Sequence, residues 1–401
     1  MLDLRLNARV IATADPSAIF ALARLRGWPV RHAARLADRA ETVALALEHL
    51  TAAEAGALRS AMAEVGGIGA VLDDPAGTAQ IILVGARTDF DALASRLHAD
   101  LAPIGEVIRA SLAAHAVREF DLPMAGRRRM KLGPDPVFMG IVNATPDSFS
   151  DGGRFPTAQA AADHARRLVD EGASIVDVGG ESTRPGSDPV PEDEELARVI
   201  PVIERLAGKT DAAISVDTRR SRVARQAVAA GAAIVNDVTA LRGDPDMAAA
   251  VAETGAAVVL MHMLGTPRTM QESPRYDDLL ADLCRSLREC LALAKAAGVA
   301  EDRILVDPGL GFGKTVEHNL EILARLAQLR TLGRPIVVGP SRKRFIGFLT
   351  GVDAPAERVL GTAGACALAV AAGACVLRVH DVAPVRQAVT VAAAIARAGG
   401  W

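Results

Sequence analysis

Residues 137–143, with the sequence VFMGIVN, are the first of eight short apolar runs that decide the fold of this chain. Each run is rich in β-branched residues, has a polar residue near or just after its end and precedes an amphipathic stretch. This pattern predicts parallel strands alternating with helices. The other runs are SIVDVGG (174–180), AAISVDT (212–218), AAIVNDV (232–238), AAVVLMHM (256–263), RILVDPG (303–309), RPIVVGP (334–340) and ACVLRVHD (374–381). Their number and spacing are those of a (β/α)8 barrel.

A doubly wound sheet is the competing architecture, but no GxGxxG turn follows any of the eight runs. We therefore predict an α/β fold in which residues 131–401 form a (β/α)8 TIM barrel and residues 1–130 form a small α/β domain of unknown role.

The region before the barrel has helix-like patterns near 16–26, 41–65 and 88–115. Residues 69–85, GAVLDDPAGTAQIILVG, predict a hairpin because turn-forming residues separate two apolar runs. The basic run at 127–131 predicts a solvated linker.

The overall charge and the cysteines limit the classes of function. A formal net charge of -3 gives no strong basic field for nucleic acid or anionic lipid, so a small-molecule substrate is expected. The four cysteines form no CxxC pair and predict reduced thiols of a cytoplasmic protein. The first 17 residues lack the apolar segment of a secretory signal, and the uncharged run at 361–377 is short for a membrane span.

Polar side chains lie at or just beyond the ends of the predicted strands, where a barrel brings them together on its active-site face. They are Asn143, Asp177, Asp217, Asn236, His262, Asp307, Ser341, Lys343, Arg378 and His380. A single aspartate after a strand more often caps the next helix. Three on one face favour a site, whereas a histidine between two methionines is expected to be a core residue, so His262 is left out of it.

Two loops have compositions that a plain connection would not need. Residues 143–153, NATPDSFSDGG, combine turn formers, hydroxyls and an aromatic ring, and residues 179–186, GGESTRPG, offer donors to an anion. The segment GLGFGKT (309–315) is similar to a phosphate-binding P-loop, but Pro308 stands where that motif requires glycine, which argues against a nucleotide site.

Taken with further strand-end motifs, these loops resemble the signature set of the dihydropteroate synthases, in the same order along the chain. The further motifs are SVDT (215–218), NDV (236–238), MHMLGTPRTMQ (261–271), DPGLGFGKT (307–315), GPSRKRFIG (339–347) and RVHD (378–381). The resemblance runs from about residue 137 to 382 and does not include the first 130 residues. It implies a transferase of folate biosynthesis that condenses 6-hydroxymethyl-7,8-dihydropterin diphosphate with p-aminobenzoate, giving 7,8-dihydropteroate and diphosphate.

The resemblance also implies a role for particular residues. For the pterin, the residues implied are Asp177, Asp217, Asn236, Met261, Asp307, Phe312 and Lys343. For p-aminobenzoate they are Phe149, Thr183, Pro185, Phe312 and Ser341, and for the diphosphate Asn143, Thr183, Arg378 and His380. The catalytic group comprises Asn143, Asp147, Arg184, Lys343, Arg378 and His380.

The resemblance implies Mg²⁺ as the cofactor, with Asn143 as its protein ligand, and a homodimer formed through barrel helices. Arg378 and His380 are two residues apart on one strand, so both are expected to face the leaving group. Asp147 and Arg184 are expected to join the two loops when the site closes.

Two other functions stay open at this point. A pterin-dependent methyltransferase would share the aspartate and asparagine contacts with the pterin. It would not need the loops at 143–153 and 179–186, or Arg378 and His380 as an anion-binding pair. A non-catalytic pterin-binding paralogue would be favoured by loss of residues such as Asn143, Arg184, Lys343 or His380, and all four are present.

Overall fold

The structure, a computed structural model, describes residues 29–34, 42–73, 77–144, 158–182, 189–266 and 269–399. The predicted helix near 16–26 lies outside these residues. Five predicted site residues also lie outside them, namely Asp147, Phe149, Thr183, Arg184 and Pro185. The chain forms two compact units, one of residues up to Ala113 with the end from Ile395, and one of Ala114–Ala394.

The first unit is a small α/β structure with a three-stranded antiparallel sheet in the order β1-β3-β2. Its elements are β1 (Thr42–Leu50), α1 (Ala52–Glu64), β2 (Ile68–Asp73), β3 (Ala79–Ala86), α2 (Arg87–Arg96) and α3 (Ala102–Ala116). Antiparallel pairing of β2 with β3 confirms the predicted hairpin. Leu58, Leu83 and Phe90 are fully buried in the core of this unit.

The predicted helix at 41–65 is wrong over its first half, because Thr42–Leu50 is strand β1. From Val43 to Leu47 larger apolar side chains alternate with alanines, so no polar residue marks the period of two in that part of the sequence. Long-range pairing with β3 decides the conformation, as tertiary contacts commonly do for strands. The second half is helix α1, which begins with a capping box between Thr51 and Glu54.

A hairpin of β4 (Phe120–Pro123) and β5 (Arg129–Leu132) precedes the barrel. The predicted linker at 127–131 is therefore wrong, since most of it is strand. Leu122 and Leu132 are buried against residues at the amino ends of the barrel strands. The hairpin thus closes that end of the barrel, and the division between the two units falls at Ala113 and not at residue 130.

The second unit contains a closed barrel of eight parallel strands, which confirms the predicted fold class. The strands are β6 (Val137–Asn143), β7 (Ile175–Gly179), β8 (Ala213–Asp217), β9 (Ile234–Asp237), β10 (Ala257–Met261), β11 (Ile304–Asp307), β12 (Ile336–Val338) and β13 (Ala374–Val379). β6 pairs with both β7 and β13, so the sheet has no edge. The strands are buried on both faces, which accounts for the continuous apolar runs in the sequence.

Helices surround the barrel. They are α4 (Ala158–Asp170), α5 (Glu192–Leu206), α6 (Ser221–Ala230), α7 (Met247–Thr254), α8 (Leu279–Ala296), α9 (Val316–Ala324), α10 (Arg344–Thr350), α11 (Val359–Ala371) and α12 (Val382–Gly399). Both α10 and α11 lie between β12 and β13 along the chain. Within the described ranges, no helix has the length and apolar character that a membrane span requires.

Candidate active site at the carboxyl ends of the barrel strands

Strand register brings the predicted polar residues to one end of the barrel. Asp217 on β8 pairs directly with Asn236 on β9, and Met261 on β10 pairs with Asp307 on β11. Asp177 on β7 pairs with Ser215, two residues before Asp217 on β8. The site is therefore built on strands, which fix side-chain positions more firmly than loops do.

Arg378 is the centre of the polar group. Its Nε donates to Asp177 Oδ2 at 2.7 Å, and its Nη2 donates to Asp217 Oδ2 at 2.7 Å. Asn236 Nδ2 also donates to Asp177 Oδ2, at 3.0 Å. These three bonds connect strands from different sides of the barrel, and we call the four residues the Arg378 cluster.

One acceptor in this cluster has no partner. Asp177 is fully buried, and its Oδ1 has no hydrogen bond to any described residue. Leaving a buried acceptor unpaired costs about 1–3 kcal/mol or more when the group is charged. Such an atom at the active-site end of a barrel indicates a place for a donor from a ligand.

Burial and neighbouring charges set the ionisation of the site. Burial raises the pKa of Asp217 to about 7, against the lowering effect of Arg378, and nearby Asp177 raises it further. Burial also raises the pKa of Asp307, which the backbone N–H of Gly309 opposes. Burial alone would lower the pKa of Arg378, but Asp177 and Asp217 raise it above its usual value, so the guanidinium stays charged.

An apolar wall lies beside the carboxylates. Met261 and Phe312 are buried together with Val238 and Met270. The Lys343 ammonium lies 4.3 Å from the centre of the Phe312 ring, in a cation–π contact. Burial, with Arg378 as the next cause, lowers the pKa of Lys343 to about 8. A flat ring with polar edges would find stacking partners and hydrogen-bonding groups here.

The loop that carries Phe312 is held by a group that the sequence analysis missed. Lys314 Nζ lies 3.0 Å from His262 Nδ1 and donates to the carbonyl of Phe312 at 2.9 Å. Burial lowers the pKa of Lys314 to about 7 and that of His262 to about 3. His262 is buried, as expected of a core histidine. The sequence feature that could have indicated Lys314 is its position in a glycine-rich turn directly after a strand.

Ser341 and His380 meet just beyond the ends of the neighbouring strands β12 and β13. Ser341 Oγ lies 3.0 Å from His380 Nδ1 and accepts from the His380 backbone N–H at 3.2 Å. Arg378 is instead engaged by the carboxylates of Asp177 and Asp217. The binding of one anion by both Arg378 and His380 thus stays a prediction.

Asn143 ends β6 on the same face and is half-buried. Among the described residues, no group of three or more His, Cys, Asp or Glu side chains could hold a metal. A Mg²⁺ ion beside Asn143 would therefore take most of its oxygen ligands from a phosphate substrate and from water, which is common for this ion.

The beginning of the second loop is tied to the barrel by charges that the sequence analysis also missed. Arg220 contacts Glu181 Oε2 at 2.8 Å and the buried Glu195, and Arg219 contacts Glu181 Oε1 at 3.1 Å. Burial raises the pKa of Glu195, and hydrogen bonds and charge from Thr218 and Arg220 oppose that rise. Nothing in the sequence separates these arginines from ordinary surface ones.

Comparison with known proteins gives consistent matches over the barrel. Residues 139–380 match the family model for pterin binding enzymes. The dihydropteroate synthase of Synechocystis sp. is 44% identical over 272 residues, which cover 68% of this chain and 94% of that protein.

Solved structures match over the same region. The Xanthomonas albilineans dihydropteroate synthase with 4-aminobenzoic acid is 50% identical with a TM-score of 0.64, covering 68% of this chain and 98% of that one. The Yersinia pestis dihydropteroate synthase with a sulfonamide drug is 43% identical with a TM-score of 0.65, covering 69% and 99%.

Proposed function

Because this chain belongs to the dihydropteroate synthases of the pterin-binding enzyme family, we propose that its Arg378 cluster binds the pterin and prepares it to lose diphosphate. The chain is a transferase of folate biosynthesis that joins 6-hydroxymethyl-7,8-dihydropterin diphosphate to p-aminobenzoate and forms 7,8-dihydropteroate. One observation carries the proposal for the site, namely the unpaired, buried Oδ1 of Asp177 next to the guanidinium of Arg378.

The guanidine-like edge of a pterin carries N–H donors in the arrangement that carboxylates accept. We assign these contacts to Asp177, Asp217, Asn236 and Asp307. Met261 and Phe312 pack on the two sides of the ring, and Lys343 donates to its carbonyl. The cation–π contact of Lys343 with Phe312 supports this assignment because it places the ammonium beside the ring site.

Binding of the pterin would change the partners of Arg378. The substrate N–H groups take over carboxylate oxygens that the guanidinium now occupies, and Arg378 then turns to the diphosphate together with His380. A single positive charge would thereby hold the carboxylates of Asp177 and Asp217 together before the substrate binds and stabilise the leaving group afterwards. An arginine suits this role, because a guanidinium stays ionised in both arrangements.

In the reaction, the bond between the pterin methylene carbon and the diphosphate oxygen breaks, and the oxygen keeps the electron pair. The amine nitrogen of p-aminobenzoate forms the new bond to that carbon and loses a proton. Negative charge grows on the diphosphate, so positioned cations contribute more than a strong base. This favours a dissociative displacement with Arg378 and His380 at the leaving group.

The p-aminobenzoate site is assigned to the rim near Ser341, whose hydroxyl would donate to the carboxylate of this substrate. The Xanthomonas albilineans relative was solved with 4-aminobenzoic acid, and the Yersinia pestis relative with a sulfonamide drug, which supports binding of both kinds of compound here. Phe312 is assigned to the same substrate. Phe149, Thr183 and Pro185 are proposed to contact p-aminobenzoate from the two loops. Asp147 and Arg184 are proposed to join these loops to each other when the site closes.

Asn143 and Thr183 are proposed contacts of the diphosphate, and Asn143 is also the proposed protein ligand of Mg²⁺. When bound, this ion supplies positive charge that neutralises the diphosphate oxygens. The single amide ligand at the end of β6 fits an ion that is held mostly by the substrate and water.

We also propose that the chain is a homodimer. Phe348 and Leu349 on α10 and Leu360 and Leu368 on α11 are large apolar side chains with more than half of their surface exposed. The two on α11 are eight residues apart and so share one face. Adjacent exposed apolar side chains commonly mark a protein contact, and a second copy is the partner that the family resemblance implies.

A cytoplasmic location is part of the proposal. None of the four cysteines forms a disulfide, and three of them are buried. Free thiols persist in a reducing compartment.

The experiment that tests the function is the formation of dihydropteroate by the purified full chain, from the pterin diphosphate and Mg²⁺ with and without p-aminobenzoate. We expect product and diphosphate together, and loss of both in His380→Ala. The matched control His98→Ala changes an exposed histidine of the first unit and should keep full activity. Pterin binding without turnover by the wild-type chain would instead indicate the non-catalytic paralogue.

A further inference from the structure

The segment Ser341–Lys343 serves both proposed substrate sites, since Ser341 is assigned to p-aminobenzoate and Lys343 to the pterin. Arg342 between them has a φ of 60°, in the left-handed region that residues with a Cβ rarely adopt. Such a conformation persists only where the surroundings hold it. The relative position of the two site residues therefore depends on the groups that bind this segment.

Arg358, just before α11, binds the segment from outside the site. Its Nη1 donates to the carbonyl of Arg342 at 3.0 Å and to that of Lys343 at 3.4 Å. Its Nε donates to the carbonyl of Val352 at 2.9 Å, and its Nη2 to that of Asp353 at 2.6 Å. Within the described ranges no ion pair is formed by Arg358, so its guanidinium is used to join two stretches of backbone.

Two other side chains bind Arg342 from the remaining sides. The backbone N–H of Arg342 donates to Oγ1 of the buried Thr362 at 3.2 Å. Its guanidinium donates to both carboxylate oxygens of Asp381 at 2.7 and 3.0 Å. Asp381 follows His380, which contacts Ser341. Arg358 is the only one of these three whose hydrogen bonds reach the backbone carbonyls of both Arg342 and Lys343.

Gly347 shows how closely the guanidinium is packed. A Cβ at this position of α10 would lie 2.6 Å from Cζ, Nε and Nη2 of Arg358. The absence of a side chain there leaves the space in which the planar group reaches four carbonyls. A substitution at Gly347 would displace the guanidinium without touching either site residue.

We propose that Arg358 is a positioning residue that sets the separation of Ser341 from Lys343, and so couples the p-aminobenzoate and pterin sites. The inference rests on the proposed function, which assigns one of these residues to each substrate. A guanidinium fork suits the task because it directs several donors in fixed directions, whereas an ammonium does not.

The test measures kcat and the KM for each substrate in Arg358→Met, Arg358→Lys and Gly347→Ala. We expect the KM for both substrates to rise together by about tenfold to a hundredfold, because small misplacements of binding groups have effects of this size. Lysine should restore little of the loss. The matched controls are Arg325→Met, which breaks an exposed ion pair with Glu321, and Gly56→Ala, where a Cβ meets nothing within 4 Å.

A merely structural role would lower the amount of active enzyme and leave both KM values unchanged in the folded fraction. That result in Gly347→Ala, or a rise for one substrate alone, would overturn the inference. If Arg358→Met does not fold, Gly347→Ala decides the question, since alanine favours a helix. Should the wild-type chain form no dihydropteroate, the proposed function fails instead, and pterin affinity measured by calorimetry in the same variants then tests the positioning of Lys343.

Discussion

Asp217→Asn tests the ionisation of the Arg378 cluster. The substitution keeps the shape of the side chain but removes the charge from an acceptor that is 10% exposed and 2.7 Å from Arg378 Nη2. A hydrogen bond to a charged group contributes about 1.5–3 kcal/mol, so the KM for the pterin diphosphate should rise roughly 10- to 150-fold. The KM for p-aminobenzoate should change little, because its proposed contacts lie near Ser341.

The pH dependence gives a second expectation for the same variant. The pKa of Asp217 is about 7, so in the wild type the carboxylate accepts pterin N–H groups better as the pH rises through that value. The asparagine variant should lose this titration. In the unfolded chain the pKa is 3.8, below the folded value. The contribution of Asp217 to the free energy of unfolding is therefore greatest below pH 3.8 and declines as the pH rises to about 7.

The assay is steady-state kinetics from pH 6 to 9, with a thermal melt at each pH. Asp121→Asn is the matched control, since Asp121 also pairs with an arginine but is half exposed on the hairpin at the other end of the barrel. An unchanged pterin KM together with an unchanged pH profile in Asp217→Asn would refute the role of this carboxylate.

Three further changes test other parts of the structure. Gly309→Ala should lower the free energy of unfolding by about 1–3 kcal/mol more than Gly298→Ala does, because its Cβ would lie 1.9 Å from the His262 carbonyl oxygen while Gly298 has free space. Equal melting temperatures of the two variants would contradict this. Lys314→Met should gain most stability over the wild type below pH 7, because burial lowers the pKa of Lys314 to about 7 and the wild type must bury a charged ammonium there. This advantage should shrink toward pH 10, and a stability difference that does not change with pH would contradict the lowered pKa. Leu360→Arg should sediment as a monomer where the wild type is a dimer, and identical sedimentation would exclude α11 from the interface.

The barrel was accessible from the sequence because its strands are buried on both sides and therefore read as continuous apolar runs. All eight predicted runs contain the observed strands, and their polar ends meet on one face. β1 was taken for a helix because its larger apolar residues alternate with alanines and not with polar residues. Its pairing partner, β3, begins about 30 residues further along the chain, so no local signal marks the strand. The hairpin at 120–132 was hidden because its charged residues face outward and only Leu122, Leu132 and their neighbours enter the barrel.

The site was predictable as a set of residue types and less so as a set of contacts. Strand position predicted that Asp177, Asp217 and Asn236 would lie together, since register is repeated from strand to strand. The direction of Arg378 depends on which carboxylates are nearest across the barrel, which the sequence does not reveal. Arg358 lies outside the strand ends, and its importance depends on backbone carbonyls that carry no sequence signal.

The most direct test of the central claim is a crystal structure of the full chain with the pterin diphosphate bound, in which the distance from Arg378 Nη2 to Asp217 Oδ2 is measured. We expect a pterin N–H group on Asp177 Oδ1, and we expect the present 2.7 Å contact of Arg378 with Asp217 to be replaced by one with the diphosphate. A pterin bound away from these carboxylates, with the Arg378 contacts unchanged, would contradict the account.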